Sequence, residues 1–473
     1  MLFQSFVFVR FFLLCYILYL LLARNLKAQN LLLLIASYIF YGFWDWRFLS
    51  LLWLSTIIDF FVGKFLAQTE DIRRRKLLLA ISLVSNLSIL GFFKYFNFFA
   101  TNFSNLLNFV GLQADTITLN ILLPVGISFY TFQTLSYTID IYRRKLEPAK
   151  SLLNFGVYIA FFPQLVAGPI ERATNLIYQV TVPRKIKASQ INAGLFLILW
   201  GYFKKLVVAD NAAFIANQVF NNYSDYQGLD LIIGTLAFTL QIYGDFSGYS
   251  DIARGLAKLM GFELMVNFNL PYFAINPKDF WSRWHISLSS WLRDYLYITL
   301  GGNRHGKLNT YRNLTLTMLL GGLWHGAAWN FVLWGGFHGL LLVFYRFFEL
   351  QFNKINLWQR KLSLFYLLAQ MLLMFILTNL GWIIFRSSSL EQISYIFTNL
   401  GFTPSDKSFY FWKDLFLIAF PLLVMQIFQY LSGDLLIVTK LKLWLRVPVY
   451  SFLVIWLVVF GVRESVEFIY FQF

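Results

Sequence analysis

The chain has 473 residues, of which 58% are hydrophobic and only 13% charged. A soluble domain carries about 25% charged residues, so a large water-exposed globule is excluded and most of the apolar surface must meet lipid or other apolar segments. The net charge of +16 would suggest nucleic acid in a soluble protein; in a membrane chain Lys and Arg instead collect in cytoplasmic loops and meet anionic headgroups.

A bilayer core about 30 Å thick needs roughly 20 helical residues. Apolar runs predict spans at Leu2–Leu22, Asn30–Trp44, Phe48–Leu66, Leu77–Tyr95, Thr118–Ile141 and Ala193–Val208. They continue at Leu229–Tyr243, Leu314–Phe344, Leu362–Phe385, Leu415–Tyr430 and Val447–Val462. The first run is too long for a signal h-region and lacks a small-residue cleavage site, so it reads as a retained span. No soluble domain, low-complexity tract or internal repeat interrupts the pattern. Residues 1–473 therefore read as a single, all-α, polytopic membrane domain. The single cysteine, Cys15, rules out an internal disulfide and a four-cysteine metal site, and no metal is expected.

Basic loops set the orientation. Arg24 and Lys27 follow the first span, Arg73–Lys76 the third and Arg143–Lys145 the fifth, so all lie on one side. The positive-inside rule makes that side cytoplasmic and the N-terminus extracytoplasmic. The region Asn97–Asp115, on the other side, has almost no Lys or Arg. Within Leu152–Val182, Pro163 and Pro169 interrupt an apolar stretch, and Arg184, Lys185 and Lys187 follow. That stretch is expected to enter and leave on the inner side, because irregular backbone at membrane depth must be buried in protein or line a cavity. A single crossing at Leu314–Phe344 would strand Lys354, Arg360 and Lys361 on the outer side, against the rule.

All four histidines, His285, His305, His325 and His338, fall between Phe280 and Gly339. His285 lies in an amphipathic stretch with Trp281, Trp284, Trp291, Arg283, Arg293 and Asp294, which reads as a cytoplasmic interfacial helix. His325 follows Asn313 by 12 residues, which in a helix is roughly 18 Å and near the bilayer midplane. An ionisable group there is a functional candidate. An apolar setting should keep its imidazole neutral and able to take a proton from a hydroxyl. Gly321, Gly322 and Gly326 leave room for a substrate or a close helix. The bland alternative for His325 is a packed histidine, and for His285 an interfacial cation. His305 reads as an exposed loop residue and His338 as helix packing. Asp245, Ser247, Tyr249 and Asp251 would be costly facing lipid. They should line a cavity, or pair with Arg254, Lys204 or Lys205; a polar lock between helices is the competing reading.

These stretches resemble the membrane-bound O-acyltransferase superfamily, and within it the bacterial alginate O-acetyltransferase branch, which includes relatives acting on peptidoglycan. The resemblance rests on Leu122–Tyr142, Phe161–Glu171, Tyr243–Asp251, Asp279–Asn303, Met318–Trp329 and Phe468–Phe473. Ser282, Ser290 and Thr299 depart from residues common in that branch. The resemblance implies roughly eleven transmembrane helices, plus re-entrant and interfacial helices, around a central funnel or tunnel. It implies that His325 is catalytic, with His285 in support. Asp245, Ser247, Tyr249, Trp324 and Asn330 are then expected along the substrate tunnel. It further implies acetyl-CoA as acyl donor, with no bound cofactor; the basic charge of the loops near Arg283, Arg293 and Arg304 suits them to meet its phosphates. The expected setting is the bacterial inner membrane. With no nucleophile elbow and no soluble domain to hold a sugar chain, an extracytoplasmic acetyltransferase or acceptor partner is expected. The rival readings are a transporter, whose polar midplane groups would bind a solute, and a non-catalytic scaffold of a polysaccharide export complex.

Overall fold

The computed structural model describes residues 1–112, 115–352, 364–462 and 468–469. Among them the regular structure is helical, with one isolated bridge between Gly228 and Leu400. Two compact units emerge, Met1–Gly194 with Ala253–Met265, and Leu195–Ile252 with Val266–Phe473.

The first unit begins with α1 (Phe6–Leu21), α2 (Leu26–Asp45), α3 (Leu49–Gln68), α4 (Ile72–Leu90) and α5 (Phe96–Phe109). Side chains that accept backbone N–H groups, from Ser5, Asn25 and Asp71, open α1, α2 and α4. In α1 the buried residues Phe8, Phe12, Cys15 and Tyr19 recur at helical spacing, while Leu13, Leu14 and Ile17 face outward. A carboxylate in such an apolar bundle must be satisfied. Asp59 on α3 is fully buried and accepts from Thr138 Oγ1 at 2.9 Å, Asn86 Nδ2 at 2.8 Å and the Ser82 hydroxyl. That knot ties α3 to α4 and to α6 (Ile127–Tyr142).

The predicted span at Thr118–Ile141 becomes helical only from Ile127. Pro124 has no N–H to give. Gly126 has φ 75°, and a Cβ there would lie 2.6 Å from the Leu165 carbonyl oxygen, so the chain turns instead of continuing a helix. Leu152–Val182 forms only the short helices α7 (Leu152–Ala160), α8 (Phe162–Leu165) and α9 (Ala173–Thr181), none of them long enough to span.

The chain passes into the second unit through α10 (Ala188–Tyr202), followed by α11 (Asp210–Asn221) and α12 (Leu229–Leu259). Helix α12 continues well past the predicted end at Tyr243 and carries the polar run Asp245–Asp251 inside it. Next come α13 (Pro277–Arg283), α14 (Ile286–Trp291), α15 (Gly306–His325) and α16 (Trp329–Phe352). The unit closes with α17 (Leu364–Arg386), α18 (Leu390–Asn399), α19 (Asp406–Ser432), α20 (Ile437–Lys440) and α21 (Leu443–Phe460). The predicted single crossing at Leu314–Phe344 is two helices, broken at Gly326. Lys354, Arg360 and Lys361, the first residues of the predicted Leu362–Phe385 span, and the end of the Phe468–Phe473 stretch lie outside the described residues.

Eight helical runs among the described residues are long and apolar enough to cross a bilayer, against eleven expected. The difference has three sources. Two predicted spans merge into the run Leu26–Gln68, and α1 and α6 are each 16 residues long, short of a full span.

Candidate active site

His325 is the last residue of α15, and the backbone is extended at Gly326 before α16 begins. The two helices run antiparallel with their backbones nearly touching. A Cβ on Gly322 would lie 2.2 Å from the Phe331 carbonyl oxygen, and one on Gly335 would lie 2.3 Å from that of Met318. A Cβ on Gly326 would lie 2.1 Å from the Phe331 ring. Of the two readings left open for these glycines, Gly322 and Gly326 serve the close helix: the space beside them is filled by α16, and this fixes His325 at the tip of the hairpin.

His285 is presented by a different device. Helix α13 opens with Asn276, whose side chain accepts from Asp279 N, and with Pro277 at its first turn. It ends as His285 adopts φ 42° and ψ 54°, a left-handed conformation rare for a residue with a Cβ. Asn267 holds the strained turn. Its carbonyl accepts from Ile286 N at 2.9 Å, and its side-chain Oδ1 accepts from Ser287 N at 3.2 Å and Ser287 Oγ at 2.9 Å.

The two imidazoles meet with ring centroids 6.4 Å apart and planes tilted by 58°. Aromatic rings surround them. Trp324 lies 5.7 Å from His285 and 5.1 Å from His325. Phe246 of α12 packs edge-on to His285 at 4.6 Å. Trp334 of α16 and Phe385 of α17 pack edge-on to His325 at 5.0 and 5.5 Å. Such a shell lowers the local dielectric and strengthens polar interactions at the imidazoles. Two rings at this spacing can share one small group, or pass a proton through one bridging atom. His285 is 0% and His325 4% exposed, so both imidazoles are buried within this shell.

The expected tunnel residues divide by environment. Trp324 touches both histidines. Asn330 donates from Nδ2 to the Phe385 carbonyl at 3.0 Å and so steadies the backbone beneath a ring that contacts His325. Asp245 pairs with Lys205 Nζ at 3.0 Å and accepts from Ile469 N at 2.8 Å. Lys205 also pairs with Asp210 at 2.8 Å, and Lys204 with Asp251 at 2.6 Å. The lysine pairing expected from the sequence is therefore present, and it is what lets α12 carry carboxylates through an apolar interior. Ser247 is buried, and the Tyr249 ring packs 5.0 Å from Phe468.

His305 is exposed in the turn before α15. His338 is buried against Phe280, Trp281 and Trp334, with Gly381 making room beside its Nε2. Both match their readings. Arg283 and Arg293 are each held by a carboxylate, Asp279 and Asp294, at 2.7 Å, while Arg304 is exposed. Among the described residues no three His, Cys, Asp or Glu side chains converge as a metal centre would need.

Sequence reasoning missed Asn267, Phe246, Trp334 and Phe385. Asn267 had one visible signal, a lone buried-type polar residue between Val266 and Phe268; the aromatic residues had none, because ring neighbours from distant helices carry no local signature.

Comparison with known proteins identifies the family. The profile of MBOAT, the membrane-bound O-acyltransferase family, matches residues 147–381, which include both histidines. A probable alginate O-acetylase AlgI of Pseudomonas putida is 42% identical over 369 residues, covering 77% of this chain and 73% of the relative. The peptidoglycan O-acetyltransferase of Helicobacter pylori is 37% identical over 396 residues, covering 78% and 73%. The teichoic acid D-alanyltransferase of Bacillus subtilis is 30% identical over 252 residues, covering 50% and 62%.

Proposed function

Because this chain belongs to the membrane-bound O-acyltransferase family and is a multi-pass membrane enzyme that transfers acyl groups, we propose that it moves acetyl groups toward hydroxyls of an extracytoplasmic polysaccharide. The observation that carries the reading is the pair His285 and His325, brought within 6.4 Å inside an aromatic shell.

In this mechanism a thioester donor, acetyl-CoA, approaches from the cytoplasmic face. His325 accepts the proton of an acceptor hydroxyl, and the freed oxygen attacks the thioester carbonyl. The carbon–sulfur bond then breaks, and the leaving thiolate takes the proton back from the imidazolium. Deprotonation matters because a neutral hydroxyl is a weak nucleophile. His285 supports the second proton position, and Trp324 and Asn330 hold the shell around the reacting atoms. Phosphates of the donor meet Arg304 most directly, since Arg283 and Arg293 already face carboxylates. The acceptor is a hydroxyl on an extracytoplasmic partner, which passes the acetyl group to alginate, peptidoglycan or another exopolymer. The enzyme sits in the bacterial inner membrane with its N-terminus outside.

The test is His325→Ala in a producing bacterium, with membrane insertion confirmed and the O-acetyl content of the surface polysaccharide measured. General-base catalysis contributes about 10²–10⁴-fold, so acetylation should fall to background while polymer export stays normal. Unchanged acetylation would remove His325 as the base. Loss of export itself would instead favour a transporter or scaffold.

A further inference from the structure

Helices α4 and α5 form one continuous helical run of 38 residues, Ile72–Phe109, joined through a π-helical turn at Gly91–Tyr95. At 1.5 Å per residue that is about 57 Å, nearly twice the roughly 30 Å hydrocarbon core. The basic residues Arg73–Lys76 fix one end at a membrane surface. About twenty residues on, the hydrocarbon ends, close to where α5 begins at Phe96. The only charge from Gly91 to Leu112 is Lys94, within the π-helical turn.

Beyond that point α5 is two-faced. Phe99, Phe103, Leu106 and Val110 recur at helical spacing and are 56–61% exposed. They continue the outward stripe of α4, made by Leu77, Ile81 and Val84, which in a membrane-spanning helix is the lipid face. The opposite face of α5 is held by the protein's own chain. Asn97 exchanges two 2.9 Å hydrogen bonds with the backbone of Leu119, and Ser104 donates to the Asp115 carbonyl at 3.2 Å. A π-turn is one of the few features that redirect a helix.

We propose that α5 lies in the plane of the membrane at the leaflet opposite Arg73–Lys76, with its Phe99–Phe103–Leu106–Val110 stripe sunk into the headgroup–acyl boundary. The occupant of this face is lipid, because the stripe is continuous with the lipid face of α4 and the helix has no charge with which to attract a particular protein partner. Amphipathic helices of this kind bury their apolar face about 5–10 Å deep.

Single cysteines at each position from 97 to 110, in a Cys15→Ser background, would be spin-labelled in lipid nanodiscs. Collision with oxygen and with a soluble nickel chelate would then be measured. Oxygen access should peak at 99, 103, 106 and 110 with helical period and at constant shallow depth. Depth rising steadily along α5 would overturn the proposal in favour of a spanning helix. Nickel access at the stripe would place it in water, and poor access to both reagents would mean that protein covers it; either result also overturns the proposal.

Discussion

At the residue scale the most consequential side chain after the two histidines is Asn267. A non-glycine residue held in the left-handed region costs about 1–3 kcal/mol and persists only when its surroundings over-determine it. Asn267 supplies that determination for His285, through its carbonyl and through two bonds to Oδ1. Asn267→Ala keeps the first and loses the others, about 1–3 kcal/mol of local stability. The turn should relax and the imidazole should shift from its partner ring. The expected outcome is a fall in acetyl transfer of tenfold or more, with kcat lowered and the donor KM little changed. Asn267→Asp keeps an acceptor oxygen and, protonated in this buried setting, should recover much of the rate. Steady-state kinetics on purified protein would show it; an Ala variant with normal kcat would remove Asn267 from the positioning of His285. The histidines were legible in the sequence because four of them crowd into one stretch of a histidine-poor chain. The device that bends the backbone at His285 was not, since a left-handed turn is chosen by long-range bonds and not by the residue itself.

At the element scale the hairpin of α15 and α16 decides where His325 points. Its apolar run was continuous enough to read as one crossing, and only the glycines marked the fold-back. Their two available readings, substrate space or helix contact, differ in what a methyl group does. Gly322→Ala would place a Cβ 2.2 Å from the Phe331 carbonyl, so the helices must separate. Overpacking of this kind costs about 1–3 kcal/mol, and the variant should lose stability and displace His325. Gly336→Ala, whose Cβ would meet only Leu319 at an ordinary 3.6 Å, should be tolerated. Thermal unfolding in detergent would rank them, and equal stability would argue against the close packing. The polar run Asp245–Asp251 was misjudged at the same scale. It was expected to follow the span, yet α12 continues through it because Lys204 and Lys205 pair with its carboxylates. Polarity signals the end of a helix in lipid only when no partner waits within the protein.

For the whole molecule, the hairpin changes the topology that the sequence supports. Close approaches of Met318 to Gly335 and of Thr315 to Gly339 fix an antiparallel register, so the chain leaving α16 returns toward the end at which α15 began. The exposed turn holding Arg304 precedes α15, and Lys307 is exposed in the first turn of that helix. The C-terminal end of α16, with Arg346 and Glu349, therefore lies on the same side as that turn. With that turn cytoplasmic, Arg346 at the end of α16 follows the positive-inside pattern. The prediction is read with a membrane-impermeant maleimide on Cys15→Ser cells carrying one added cysteine. Arg346→Cys and Lys185→Cys should react only after permeabilisation, and Leu112→Cys should react in intact cells. Labelling of Arg346→Cys alongside Leu112→Cys in intact cells would mean that α15 and α16 do not turn back within the membrane. His325 would then no longer sit at the tip of a re-entering pair, and the route by which a cytoplasmic thioester reaches it would have to follow another wall of the protein.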